Sequence, residues 1–434
     1  MRHSIFTITA LLLAFSTAAL AQTNTVGTAK AEDFAVRGAT IHVGNGQVIE
    51  NGVVGVKNGK IALVSADASA LKESEYKRII DAKGQHLYPS VIAPNTQLGL
   101  TEIEAVRATR DFNEVGHFNP HVRSLIAYNT DSEILPTISF NGILLAQTCP
   151  QGGRISGQSS VVQLSAYNWE DATVSADIGV HLYFPQRFQY TGWWAEPGPL
   201  RGVKGYDKDV QAIKVYFDEA AAYMQREKVE GKNLKFEVMR SLLSRKTKLF
   251  LHVDEAQSTL DALDLLAPYK LDIVLIGGGE SYLITDRLRA ENIPVVYTNT
   301  HELPTTPDSD VDQMYKTPAM LAQAGVKYCL ALNGSWQVRN LPFLAGNTAA
   351  YGIDKETALR SVTLSTAEIL GIAQRVGSIE VGKDATFFLS IGDALDMRTN
   401  QLTAAFVQAR PLPLISRQQV LYDKYMQKFG LKKQ

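Results

Sequence analysis

The sequence predicts an α/β chain built on a (β/α)8 barrel with β-rich segments at both ends, and three observations carry that reading. First, eight short runs are mainly apolar rather than alternating, at about 88–94, 141–148, 159–165, 178–184, 248–253, 272–277, 294–299 and 327–332. Strands of a parallel sheet with both faces covered have this texture. Second, helical segments fall between them, among them Asp209–Lys228, Thr259–Tyr269, Tyr282–Asn292 and Gln313–Gly325. Eight strands with helical crossovers fit a barrel. Third, residues from about 33 to 66 alternate apolar and polar, with NG and GN pairs at the breaks, and SIEVGKDATFFLSIG and LTAAFVQAR near the C-terminal end look the same. Period-2 runs with such breaks are short antiparallel strands joined by tight turns.

A chain of 434 residues leaves room for two to three domains. It is 45% apolar and 20% charged with a net charge of −1. That balance argues against nucleic acid or an anionic membrane as the main partner, while leaving local basic patches open. Arg2 and His3 precede an apolar run, Ile5–Leu20, and Ala19-Leu20-Ala21 is a small-x-small cleavage site. Residues 1–21 therefore read as a signal peptide cleaved after Ala21, and the product as periplasmic. No later stretch reaches the ~18 apolar residues of a membrane span. Cys149 and Cys329 sit at strand ends. Export permits a disulfide between them, but two separate buried thiols are the preferred reading.

The segment 185–208, rich in aromatics, Gly and Pro, reads as a long loop after the fourth strand. With the helix that follows it is a candidate lid. Phe188, Tyr190, Trp193 and Trp194 offer an aromatic surface for a ligand or for a second subunit of a homo-oligomer.

Two stretches carry a family resemblance. The first strand runs through LYPSVIAPNTQLGL (Leu87–Leu100). Near the end, RNLPFLAGNTAAYGIDKETALRSVTLSTAEILGI (Arg339–Ile372) is followed by RVGSIEVGKDATFF. The chain resembles the amidohydrolase superfamily, as a divergent member of its imidazolonepropionase-like, metal-dependent hydrolases. Ser365-Thr366-Ala367 stands for the family's NPA, and Thr386 for the last Asp of GKDAD. Independently, Ala358, Leu359, Val362, Leu364 and Ile369 give the closing helices an apolar face to pack on the barrel. The resemblance implies a TIM-like barrel over 87–375 and one small β-sandwich assembled from 22–86 and 376–434.

It also implies a metal-dependent hydrolase of carbon–nitrogen bonds such as amides, cyclic amides or dipeptides. The positions that would carry that chemistry have changed. Asn95 and Gln97 stand where the family's HxH pair would end the first strand. His252 matches the metal-binding histidine of the fifth strand, Gly277 or Gly278 stands at the sixth-strand histidine, and Asn333 replaces the eighth-strand aspartate. Zn²⁺ prefers Cys, His and carboxylate over amides, and a carboxamide cannot take a proton from water near neutral pH. Asn95, Gln97, Gln163, His181, Asp254 and Asn333 instead form a candidate pocket for a small polar or peptide-like ligand, since amides offer donors and acceptors together. Glu280, His301 and Glu302, with His252, are weak alternatives for a non-standard Zn²⁺ site; no cofactor is otherwise expected. His42, His86, His117 and His121 show no ligand spacing. Two readings follow: a hydrolase with a degenerate metal site, or a catalytically inactive binding or scaffold protein on the same fold.

Overall fold

The computed structural model describes residues 30–193, 195–226, 231–304 and 309–431. Residues 1–21, read above as a signal peptide, and Trp194 lie outside the described residues. None of the described helices is long and apolar enough to cross a membrane.

Eight strands in sequential order form the central sheet: Val91–Thr96, Ile143–Thr148, Ile155–Gln163, Thr173–Tyr183, Lys248–Val253, Ile273–Gly277, Val295–Tyr297 and Tyr328–Leu330. The first, second, third, seventh and eighth are buried at every residue, as double-sided covering requires. The sheet curls into a nearly closed barrel. At the mouth, the ends of the first and eighth strands are joined by a Gln97 N–H bond to the Gly334 carbonyl (3.3 Å) and by an Asn95–Asn333 side-chain bond.

The third strand corrects the expected all-parallel sheet, because it pairs antiparallel with both neighbours. Only residues 149–154 separate it from the second strand, with Gly152 and Gly153 both at positive φ. A parallel return needs a crossover of roughly a dozen residues, whereas a glycine turn suffices for a reversal. A second correction concerns 185–208, which contains a two-stranded hairpin, Phe188–Trp193 against Glu196–Gly202. Its base is held by Glu255, which accepts from the Arg187 and Phe188 N–H groups at 2.8 and 3.1 Å.

The terminal segments share one further sheet. Phe34–His42 pairs with Val48–Lys57, which turns at Asn58-Gly59 into Lys60–Ser65. Both turn residues have positive φ, the requirement of a two-residue hairpin loop of this hand. His86–Pro89 joins this group to the C-terminal strands Phe387–Ser390 and Leu402–Val407. Phe34, Phe387 and Phe406 pack at its centre, with Phe34 and Phe406 stacked at 4.5 Å. The sheet is fastened to the barrel through Arg375, which donates to the Asp384 carboxylate at 2.8 Å and to the Val174 carbonyl at 2.7 Å.

Candidate functional site

The mouth of the barrel holds a cavity of about 530 Å³. Asn95 lines it from the first strand, His252 and Asp254 from the fifth, Gly277 from the sixth, Thr298 from the seventh and Asn333 from the eighth. Asn95 has φ of 54°, a left-handed conformation that asparagine tolerates better than most residues. That kink turns its side chain toward the eighth strand, where Nδ2 donates to Asn333 Oδ1 at 3.0 Å. The Asn95 N–H donates to Gln147 Oε1 at 3.0 Å, and Gln147 Nε2 donates to Ser159 Oγ at 2.9 Å.

His252 stacks on Tyr183 with centroids 3.9 Å apart, and its Nε2 meets His181 Nδ1 at 2.8 Å. Burial pushes His252 down to about 3 and, with the His252 ring beside it, holds His181 well below the ordinary histidine range. Both rings are therefore neutral at pH 7, one donating to the other. Asp254 Oδ1 accepts from the Gly279 N–H and from Asn299 Nδ2, each at 3.3 Å. Burial raises its pKa against those bonds.

The remaining sequence candidates fall elsewhere. Gln163 ends the reversed third strand, so it lies opposite Leu145 toward the floor of the barrel and donates to the Asp171 carbonyl at 2.6 Å. The direction of that strand removes it from the mouth. Gln97 and His181 are buried and do not line the cavity. Glu280 accepts from the Ala256 N–H at 2.8 Å and so caps the helix Ala256–Leu266. His301 bonds to the Tyr315 hydroxyl at 3.0 Å and borders a different cavity.

The same reversal supplies residues that the sequence reading missed. Gln151 and Arg154, both in the 149–154 turn, line the mouth with Tyr183, Gln186, Gln189 and Asp209. Arg154 pairs with Asp209 of the helix Tyr206–Met224. The short Gly-Gly turn was the signal that could have found them.

The donor set does not fit a divalent metal. His252 Nε2 is engaged by His181, Glu280 by a helix terminus, and Asn333 Oδ1 by Asn95. A side chain at Gly277 would begin 2.6 Å from Asp254 Oδ1. Among the described residues, no group of three or more His, Cys, Asp or Glu could hold an ion.

The amidohydrolase family model matches residues 296–411. A solved amidohydrolase from Thermotoga maritima is similar over 87% of this chain and 99% of its own, at TM-score 0.75 and 23% identity. The chain carries the amidohydrolase superfamily fold. A prolidase complexed with N-methylphosphonate-L-proline is similar at TM-score 0.53 and 13% identity, covering 88% of this chain and 99% of its own. Molinate hydrolase is similar at TM-score 0.54 and 14% identity, covering 89% and 95%. No match was found among curated proteins. On this amidohydrolase fold, the residues at the strand ends offer hydrogen bonds and neutral rings where the resemblance implied a metal cage.

Proposed function

We propose that this amidohydrolase-fold chain binds a small polar or peptide-like molecule at the barrel mouth, without metal-dependent hydrolysis. The observation that carries the reading is the bond from Asn95 to Asn333. Two positions that the resemblance assigns to a metal ligand and a proton acceptor are spent on each other. A carboxamide is essentially non-basic, so Asn333 holds no proton for a leaving group.

The lining suits recognition. Asn95, Gln151, Gln186, Gln189 and Asn333 present amide donors and acceptors, Tyr183 and Phe184 supply a flat apolar wall, and Asp254 a carboxyl group. A cavity of this size with a few convergent polar groups matches a small-molecule site. The apolar Ile5–Leu20 run and its cleavage site support placing the protein in the periplasm.

A second reading, hydrolysis of a carbon–nitrogen bond, is favoured by Asp254, a carboxyl lining the cavity whose pKa burial raises. The hydrolase names of the similar structures lean the same way. One experiment separates the two. The purified protein is analysed for metals, then screened by calorimetry against amino acids, dipeptides and cyclic amides, and for hydrolysis of the same compounds with added Zn²⁺ or Mn²⁺. Binding with no turnover and negligible metal supports the proposal. About one equivalent of metal, lowered by His252→Ala, or turnover abolished by Asp254→Asn, overturns it.

A further inference from the structure

The helix Arg417–Lys428 near the C-terminal end is amphipathic in an unusual sense: its apolar stripe faces away from the protein. Ser416 caps it, accepting from the Gln419 N–H at 3.2 Å, and the chain leaves it at Gly430, φ 65°. At about 100° per residue, Leu421, Tyr422, Tyr425 and Phe429 fall within an arc of roughly 100°. All four are exposed, from 40% at Leu421 to 64% at Phe429. The half-buried positions are Gln419, Asp423 and Met426, on another side of the helix. Gln419 Nε2 donates to Asp423 Oδ1 at 3.1 Å there, and Thr137 Oγ1 bonds to Gln418 at 2.8 Å to tether the first turn.

The charges are sorted as well. Arg417, Lys424 and Lys428 are spaced at i, i+7 and i+11, so they form one row beside Leu421. No carboxylate among the described residues pairs with them, and Lys428 lies over the Phe429 ring at 5.4 Å. From residue 417 onward the sequence holds five Lys or Arg and a single carboxylate, Asp423, in a chain whose net charge is −1. The cationic locus is therefore local to this helix.

We infer that the helix Arg417–Lys428 docks on an anionic lipid surface, its Leu421–Tyr422–Tyr425–Phe429 stripe entering the headgroup layer beside a row of cations. A short helix with an aromatic and aliphatic stripe edged by Lys and Arg lies in the membrane interface rather than across it. Tyrosines suit that depth because their rings are apolar and their hydroxyls stay wet. Each cation near an anionic surface strengthens binding about fivefold. A second copy of this chain fits less well, because antiparallel pairing through the stripe sets the Arg417–Lys424–Lys428 rows against each other. This inference is independent of the ligand assigned to the barrel mouth.

The test is co-sedimentation of the mature chain with phosphatidylcholine vesicles and with vesicles containing phosphatidylglycerol. Preferential binding to the phosphatidylglycerol vesicles, weakened by salt, supports the inference. Lys424→Glu with Lys428→Glu is expected to weaken that binding roughly tenfold or more. Tyr425→Glu with Phe429→Glu is expected to abolish it. All four side chains are solvent-exposed, so unchanged thermal unfolding confirms that the variants fold. Wild-type protein remaining in the supernatant with both vesicle types overturns the inference. A concentration-dependent dimer that Tyr425→Glu with Phe429→Glu dissociates, in a chain that ignores vesicles, assigns the stripe to a second copy and also overturns it.

Discussion

The Asn95 side chain donates to Asn333 Oδ1 at 3.0 Å, so two amides join the end of the first barrel strand to that of the eighth. Asn95→Ala removes the donor and forces a Cβ-bearing, non-polar residue to keep φ at 54°. The lost bond and the backbone strain together cost about 2 kcal/mol. Asn95→Gly loses only the bond, about 1 kcal/mol. Thermal unfolding should rank wild type above Asn95→Gly above Asn95→Ala. Equal melting temperatures for all three would show that the bond contributes nothing.

Gly277 holds Asp254 in place by having no side chain. A Cβ there would sit 2.6 Å from Asp254 Oδ1 at φ 97°, and at Gly278 the nearest atoms are movable side chains at 3.2–3.4 Å. Gly277→Ala is expected to destabilise by about 2 kcal/mol and to weaken ligand binding, and Gly278→Ala to do less of both. Denaturant titration and calorimetry of the two variants check this. A larger effect at Gly278 would sink the argument.

His42 and His86, which show no ligand spacing in the sequence, meet at 3.0 Å where the terminal sheet faces the barrel. His42 also bonds Glu356 at 2.7 Å and stacks on Tyr88, and Asp393 and Glu50 are the other charges that act on His86. Burial, then His42, lowers the His86 pKa. The sign follows directly. The folded state favours neutral His86, so the unfolded chain binds more protons once the pH falls below about 6.5. Its contribution is complete above that pH and is lost progressively on acidification. Melting temperature should therefore fall between pH 7.5 and pH 5, and His86→Gln should flatten that slope. An unchanged slope in the variant would assign the acid sensitivity elsewhere.

Cys149 and Cys329 are both buried and unpaired. Burial raises both thiols, Cys329 to about 12. A thiol reagent should label neither in the folded protein and both after denaturation, with or without prior reductant. Labelling that requires reductant would reveal a disulfide.

Much of this fold was legible because its signals are local. Most barrel strands show as apolar runs since burial on both faces favours apolar residues along their length, the third, ISGQSSVVQ, being the exception in its polar first half. The Asn58-Gly59 turn shows because few other residue pairs adopt two positive φ angles in succession. The third strand's direction was written in the brevity of residues 149–154, although the strand's own composition is silent about it. The site was less legible. Asn95, His252, Asp254 and Asn333 sit at strand ends and could be placed by counting, whereas Gln163 could not, because its height in the barrel depends on which way its strand runs. Arg154 and Asp209 meet across 55 residues, and no local pattern announces such a pair.

The sequence by itself determined most of the barrel's elements though not the 188–202 hairpin, the neutral amides at the first and eighth strand ends, and the absence of imidazole at the sixth. Tertiary structure decided what those amides do. Only the curling of the sheet brings residues 238 positions apart within hydrogen-bond reach, and only packing sets His181 against His252 and hides both from protons. Side-chain identity fixes which bonds a group can make. Chain closure and burial fix which of them it does make, because they decide the partners and the dielectric around them.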